Sequence, residues 1–225
     1  MQNGFILTSN RDEKIYRTTI DPAVYESNDI KLLYPKDEKA GGTWIVTRND
    51  GTSIVLLNGA FVNHEKKANY RQSRGQILLE IIQAKYPLLY FNQMDLKDIE
   101  PFTLIIYQNN TLTDVKWDGN GKYQFDKLIH QPHIWSSSTL YSRKQKIIRQ
   151  KWFDEFWRYN KPITMEKIFN FHTDTHLTNT EYGLLIDRKD LTKTVSISQI
   201  IVKNDLVEMN YFDRLNNIKI TGITF

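Results

Sequence analysis

The order of strand-like and helix-like segments restricts the fold of this chain more than any other feature. Runs at residues 43–47 and 52–57 flank Arg48-Asn49-Asp50-Gly51, and Asp-Gly readily supplies the positive φ values of a tight hairpin. Runs at 103–108 and 111–117 flank Asn109-Asn110 in the same way, and 123–128 follows the turn at Gly119-Asn120-Gly121. Four further strands are expected at 183–187, 194–202, 207–212 and 218–223, with Asn204-Asp205 and Asn216-Asn217 as turns. Two helical blocks interrupt the strands. One covers 73–86, with Ser73 as cap and Ile77, Leu78, Ile81 and Ile82 on one face. The other covers 142–159 and is stopped by Lys161-Pro162 before a shorter helix at 164–171. Helices grouped between sets of strands predict a layered α+β fold in a single domain, residues 1–225, and not alternating parallel units.

Composition narrows the function. The chain has 225 residues, 40% of them hydrophobic and 12% aromatic, which suffices for a sizeable core and argues against disorder. It contains no cysteine, so disulfides, thiolate metal sites and a cysteine nucleophile are excluded within these residues. No apolar run is long enough to span a bilayer and no signal segment is evident, so a cytoplasmic protein is expected. The formal charge of +4 is concentrated near residues 143–151, which reads as the solvated face of an amphipathic helix. A nucleic-acid partner would require a broader basic surface than this.

The tetrapeptide Asn10-Arg11-Asp12-Glu13 directly follows the apolar run Phe5-Ile6-Leu7. Charged side chains placed so close to a buried strand must be paired or serve chemistry. With it occur Ala40-Gly41-Gly42-Thr43-Trp44, Leu56-Leu57-Asn58-Gly59-Ala60, Ser73-Arg74-Gly75, Pro101-Phe102-Thr103-Leu104 and Trp135-Ser136-Ser137-Ser138. In this order and spacing the set resembles the NRDE family, also called the Transport and Golgi organization 2 family, along nearly the whole chain.

That resemblance implies a four-layer αββα fold with two antiparallel sheets, related to the N-terminal nucleophile hydrolases. In those enzymes an N-terminal cysteine, serine or threonine attacks an amide carbonyl, with its own α-amine as base. By similarity to the choloylglycine-hydrolase branch, Asn10 and Asp12 match an Asn-x-Asp stretch whose Asp orients the nucleophile. Asn58 matches an oxyanion-hole asparagine. Ser137 and Ser138 occupy the region of a second such asparagine, where hydroxyls replace the amide; they equally suit a corner or cap before the next helix. Arg11 has no counterpart, and a salt bridge to Glu13 or Asp12, or an anion contact, is open to it. Family members typically begin Met-Cys and a short strand. Here Asn3-Gly4 reads as a hairpin dipeptide with only Met1-Gln2 before it, so the first strand is expected to be missing and this chain to be inactive.

Two functions stay open on these grounds: an amide (C–N) bond hydrolase, or a non-catalytic carrier on the same scaffold, such as a heme-trafficking or acyl-lipid-handling protein. Either takes a small-molecule ligand or substrate. No metal site or resident cofactor is expected from His130-x-x-His133 or His172-x-x-x-His176, while His133 and His172 are candidate axial ligands for heme. Trp44, Phe61 and Tyr70 suit a pocket and a core equally well.

Overall fold

In the structure, a computed structural model that describes residues 4–27, 30–204 and 206–225, two antiparallel sheets lie between helical layers. The chain opens with β1 (Gly4–Lys14), β2 (Thr19–Ser27), β3 (Ile30–Asp37), β4 (Ile45–Arg48) and β5 (Ser53–Asn58). Helices α1 (Arg74–Gln83) and α2 (Pro87–Gln93) precede β6 (Phe102–Gln108), β7 (Thr111–Trp117) and β8 (Lys122–Lys127). Then come α3 (Arg143–Tyr159), α4 (Met165–Asp174), β9 (Thr192–Lys203), β10 (Leu206–Asp213) and β11 (Ile218–Ile223). Strands β2 to β8 form a seven-stranded meander, whereas β1 joins the C-terminal strands in the order β1-β9-β10-β11. The expected turns at Asn3-Gly4 and Asn204-Asp205 involve Asn3 and Asp205, which lie outside the described residues.

Each layer has its own apolar cement. Ile77, Leu78, Ile81 and Ile82 of α1 pack with Phe91 of α2 on one face of the seven-stranded sheet. Between the sheets, Leu33, Ile45, Val55 and Ile105 meet Ile200 and Met209. Each such side chain contributes about 1.5–3 kcal/mol when fully withdrawn from water. Helix α4 covers β1 and β9 on the far side, and α3 leans on α4 through Phe153 and Phe156, 5.7 and 4.7 Å from the Phe171 ring. The expected four-layer αββα arrangement is the one observed.

The departures have local causes. Strands β2 and β3 are not among the strands expected from the sequence, and each contains a proline. Pro22 sits in the register break between Ile20 and Ala23 of edge strand β2. Pro35 lies in β3 beyond the Leu32 and Leu33 pairs with β4, so neither proline removes a needed donor. The helix expected at 73–86 ends at Gln83, and Pro87 starts α2, where its missing N–H costs nothing. Residues 183–187 are not a strand and make only the Asp187–Lys193 bridge; Leu184 and Ile186 are buried by packing.

Two of the sequence motifs meet physically. A Cβ on Gly42 would stand 2.4 Å from the Gly75 carbonyl carbon, and one on Gly75 would stand 2.8 Å from the Thr43 nitrogen. Only glycines let the 40–44 loop touch the first turn of α1, which Ser73 caps through the Gln76 N–H.

Candidate active site

A cavity of about 1330 Å³ runs along β1 and is closed by the end of β5, the first turn of α1, the 129–141 segment, and α3 with α4. All four residues of the Asn10–Glu13 tetrapeptide line it. Their side chains alternate, so the motif serves two faces of one strand. Phe5 and Leu7 pack into the inter-sheet core, and Arg11 shares their face; Asn10 and Asp12 take the other, toward the helices.

Asp12 is held from both sides. A bulge at this point, with Val195 of β9 as the extra residue, pairs Arg11 with Ser196 and Asp12 with Thr194, which turns Thr194 toward the Asp12 carboxylate. Thr194 Oγ1 donates to Oδ1 at 2.6 Å, and Tyr141 Oη donates to Oδ2 at 2.7 Å. Burial pushes the carboxyl pKa up; the two hydroxyls and the charges of Arg149 and Arg188 pull it back toward the ionised form. The same burial, with the Asp12 charge, pushes the Tyr141 phenol far up, so it stays a proton donor.

Arg149 is the residue that a reading of charge runs conceals. It belongs to the basic stretch expected to be solvated, yet it is only 6% exposed. Its Nε donates to Ser136 Oγ at 2.9 Å, its Nη1 donates to the Tyr182 carbonyl at 3.0 Å, and the guanidinium lies 4.2 Å from the Tyr141 ring centroid. No carboxylate among the described residues is within ion-pair distance of it. Its charge therefore acts on Asp12 through space.

Asn10 anchors a second polar pair. Its Nδ2 donates to the Leu184 carbonyl at 2.6 Å, which leaves Oδ1 to accept from His172 Nδ1 at 2.7 Å. That network puts the imidazole proton on Nδ1 and leaves Nε2 as a bare acceptor in the cavity wall. Burial and the nearby Arg149 charge lower the His172 pKa to about 3, so the ring is neutral. Of the two histidines named as candidate axial ligands, His133 has its Nε2 2.9 Å from the Leu128 carbonyl.

Arg11 is buried and paired with a carboxylate, though with neither expected partner. Its Nη2 donates to Asp37 Oδ2 at 2.7 Å, and Nη1 donates to the Arg17 carbonyl and Thr19 Oγ1 at 2.9 and 2.8 Å. Glu13 pairs instead with Arg17, at 2.9 Å. The guanidinium stacks 4.5 Å from the Trp44 ring centroid. Arg11 thus clamps one sheet to the other, and its fork is spent on that clamp.

Asn58 lines the same cavity as Asp12 from the end of β5. Alternation after Leu56 and Leu57, which enter the α1-side and inter-sheet cores, gives Asn58 the α1-side face. No hydrogen bond of its side chain is found among the described residues, and none joins it to Asp12. Its carbonyl is committed, accepting from Ser137 Oγ at 2.8 Å and Ser138 N at 3.1 Å. Ser138 Oγ donates to the Ala60 carbonyl at 2.7 Å. Ser137 and Ser138 therefore spend their hydroxyl protons fastening their segment to the end of β5, and neither aims a free donor into the cavity. Gly59, at φ +79°, admits that approach, since a Cβ there would stand 3.0 Å from Thr139 Cγ2. The segment then reaches Asp12, because the Tyr141 N–H donates to the Ser137 carbonyl at 3.1 Å.

Residues 1–218 match the sequence profile of the Transport and Golgi organisation 2 family. The chain belongs to that family. No curated protein matches it. Among solved structures it is similar to a point mutant of conjugated bile acid hydrolase from Clostridium perfringens. That likeness has a TM-score of 0.53 and 10% identity, over 98% of this chain and 93% of that one. A second variant of the same hydrolase is also similar, with a TM-score of 0.46 and 11% identity, over 99% and 89% of the two chains. At such identity the first likeness establishes the fold, which is that of the N-terminal nucleophile hydrolases. No helix among the described residues is long and apolar enough to cross a membrane.

Proposed function

We propose that this family member is built to hydrolyse an amide (C–N) bond, with Asp12 orienting the amine of an N-terminal nucleophile and Asn58 donating to the carbonyl oxygen. The observation that carries this reading is Asp12. Its carboxylate is fixed by two hydroxyl donors in a cavity wall and keeps lone pairs for a further donor. As the nucleophile attacks the carbonyl its proton would pass to its own α-amine and from there to the leaving amine when the C–N bond breaks, and water would then release the acyl group. Asn58, which lines the same cavity from the α1 side of β5, is the donor we assign to the carbonyl oxygen. The 225 residues contain no cysteine, so they are not expected to turn over by themselves. A small-molecule substrate, residence in the cytoplasm and no nucleic-acid partner belong to the same reading. The test is hydrolysis of N-acyl amino acids by the chain extended with a Met-Cys first strand. Asn58→Ala should lower kcat by about 10²–10³, and Asp12→Asn should lower it as strongly. Full activity in both variants would end this reading.

His172 favours a second reading, a carrier that binds without reaction, whether its cargo is heme or an acyl lipid. Its neutral imidazole presents Nε2 to the cavity, with Asn10 fixing the tautomer, which suits axial ligation of heme iron. Heme would supply the ligand-binding iron, and His172 alone of the two candidate histidines has Nε2 uncommitted. Titration with hemin should then give a saturable Soret band that His172→Ala removes and His133→Ala keeps. An identical band in His172→Ala would exclude this role.

A further inference from the structure

Behind the 135–138 segment lies a second, smaller pocket of about 180 Å³, lined by Leu57, Trp135, Ser138, Lys116, Lys146 and Gln150 among others. Leu57, Ile134, Trp135 and Ser136 form walls of both this pocket and the main cavity. Its charges do not balance. Lys116 Nζ is 2.8 Å from Asp114 Oδ1 and 3.3 Å from Thr103 Oγ1, so one carboxylate answers one ammonium. Lys146 has no carboxylate within ion-pair distance among the described residues. Its Nζ donates to Ser138 Oγ at 2.7 Å, a hydroxyl whose own proton is committed to the Ala60 carbonyl. An ammonium has three N–H donors, so two remain for a ligand. The first turn of α3, from which Lys146 extends, adds positive potential of the same sign.

We propose that this pocket is an anion subsite, in which Lys146, with Lys116 beside it, binds a carboxylate or phosphate group of the ligand. The Lys146 ammonium is disfavoured in its present position: burial and the neighbouring Lys116 charge both lower its pKa, and an oxyanion would relieve both. This subsite is independent of whether the protein hydrolyses its ligand.

The probes are inorganic phosphate and acetate, each titrated at constant ionic strength set with sodium chloride. A bound anion should raise the melting temperature saturably, by about 3 °C at a tenfold excess over its dissociation constant. Lys146→Met should abolish the rise, while Lys146→Arg and Lys151→Met, the latter at a lysine 76% exposed on the same helix, should keep it. A rise with phosphate alone identifies a phosphoryl group, and one with acetate alone a carboxylate. If Lys146→Met does not fold, the Lys146 ε-methylene NMR signals of the unaltered chain should shift saturably with the same anion. No rise with either anion, an equal rise in Lys146→Met, or unmoved Lys146 signals would overturn the proposal.

Discussion

Replacing Asp37 with asparagine tests whether Arg11 belongs to the architecture or to the chemistry. Asp37 Oδ2 accepts from Arg11 at 2.7 Å and from Arg17 at 2.6 Å, so one oxygen bridges two guanidinium groups where β1 of one sheet meets β3 of the other, with Glu13 as the second carboxylate on Arg17. Asp37 Oδ1 separately accepts the Ala40 N–H at 2.8 Å, a bond that asparagine can keep. With its oxygen kept there, the asparagine turns an N–H donor group toward the two guanidinium groups, so the substitution removes the charge and both of their acceptor contacts together. Arg11, 6% exposed, cannot turn to water, and breaking a buried pair in this way costs about 3–5 kcal/mol. At about 2–4 °C per kcal/mol for a domain of this size, the melting temperature should fall by roughly 6–20 °C. Urea and thermal melts of Asp37→Asn, Arg11→Met and the double variant supply the measurement. Once Arg11 is gone the stranded charge is gone too, so the double variant should be clearly more stable than the sum of the single losses implies. A cost below about 1 kcal/mol for Asp37→Asn would mean that the pair is screened and its geometry contributes little. Arg11 would then be free to meet an anionic ligand, and the clamp argument would be wrong.

Other perturbations have equally definite outcomes. His172 binds a proton in the unfolded chain below pH ~6.5 and refuses it in the folded chain until about 3, so its contribution is present above that window and lost as pH falls through it. Stability should drop by up to ~1.4 kcal/mol per unit from this group, and His172→Gln should flatten the slope between pH 7.5 and 5; an unchanged slope would refute the assignment. Asp12 acts in the opposite sense: its raised pKa makes stability fall as pH rises from the unfolded value to the folded one, a trend that Asp12→Asn should remove from acid-range melts. Tyr141→Phe takes one of two donors from a buried carboxylate and should cost about 1–3 kcal/mol in a urea melt. Gly42→Ala forces a methyl against the Gly75 backbone and should cost about 1–3 kcal/mol or more, with wild-type stability as the disproof.

Much of the fold was legible because hairpin dipeptides are local. Asp50-Gly51 and Asn109-Asn110 turn where expected, with positive φ at Gly51, Asn109 and Asn110. The cap at Ser73 is local as well and stands where expected, and the stretches expected to begin at 142 and 164 begin at the caps Ser142 and Thr164. What was not legible depends on partners distant in sequence. Tyr141, Arg149 and Thr194 hold or polarise Asp12 from 129 to 182 residues away, and no spacing rule links them to it. Arg149 was further hidden by its neighbours, since a buried arginine inside a basic helix has the same pattern as a solvated one. Strands β2 and β3 were not read at all: β2 lies at the sheet edge, and β3 pairs with β4 only at Leu32 and Leu33.

The tetrapeptide itself divides by parity, and that division assigns separate duties to adjacent residues. Arg11 faces the sheet interface and Glu13 pairs with Arg17, which shares Asp37, so the odd positions tie β1 to the second sheet. Asn10 and Asp12 face the helical layer, where one fixes the His172 tautomer and the other is held by Tyr141 and Thr194. Strand geometry alone enforces the separation, because neighbouring side chains on β1 cannot share a face. Substitutions at 10 and 12 should therefore change ligand binding or turnover at modest cost in stability, and substitutions at 11 should do the reverse. A side-by-side comparison of melting temperature and hemin or substrate response for Asn10→Ala, Arg11→Met and Asp12→Asn decides it. If Arg11→Met loses function without losing stability, the parity argument fails and all four residues act as one site.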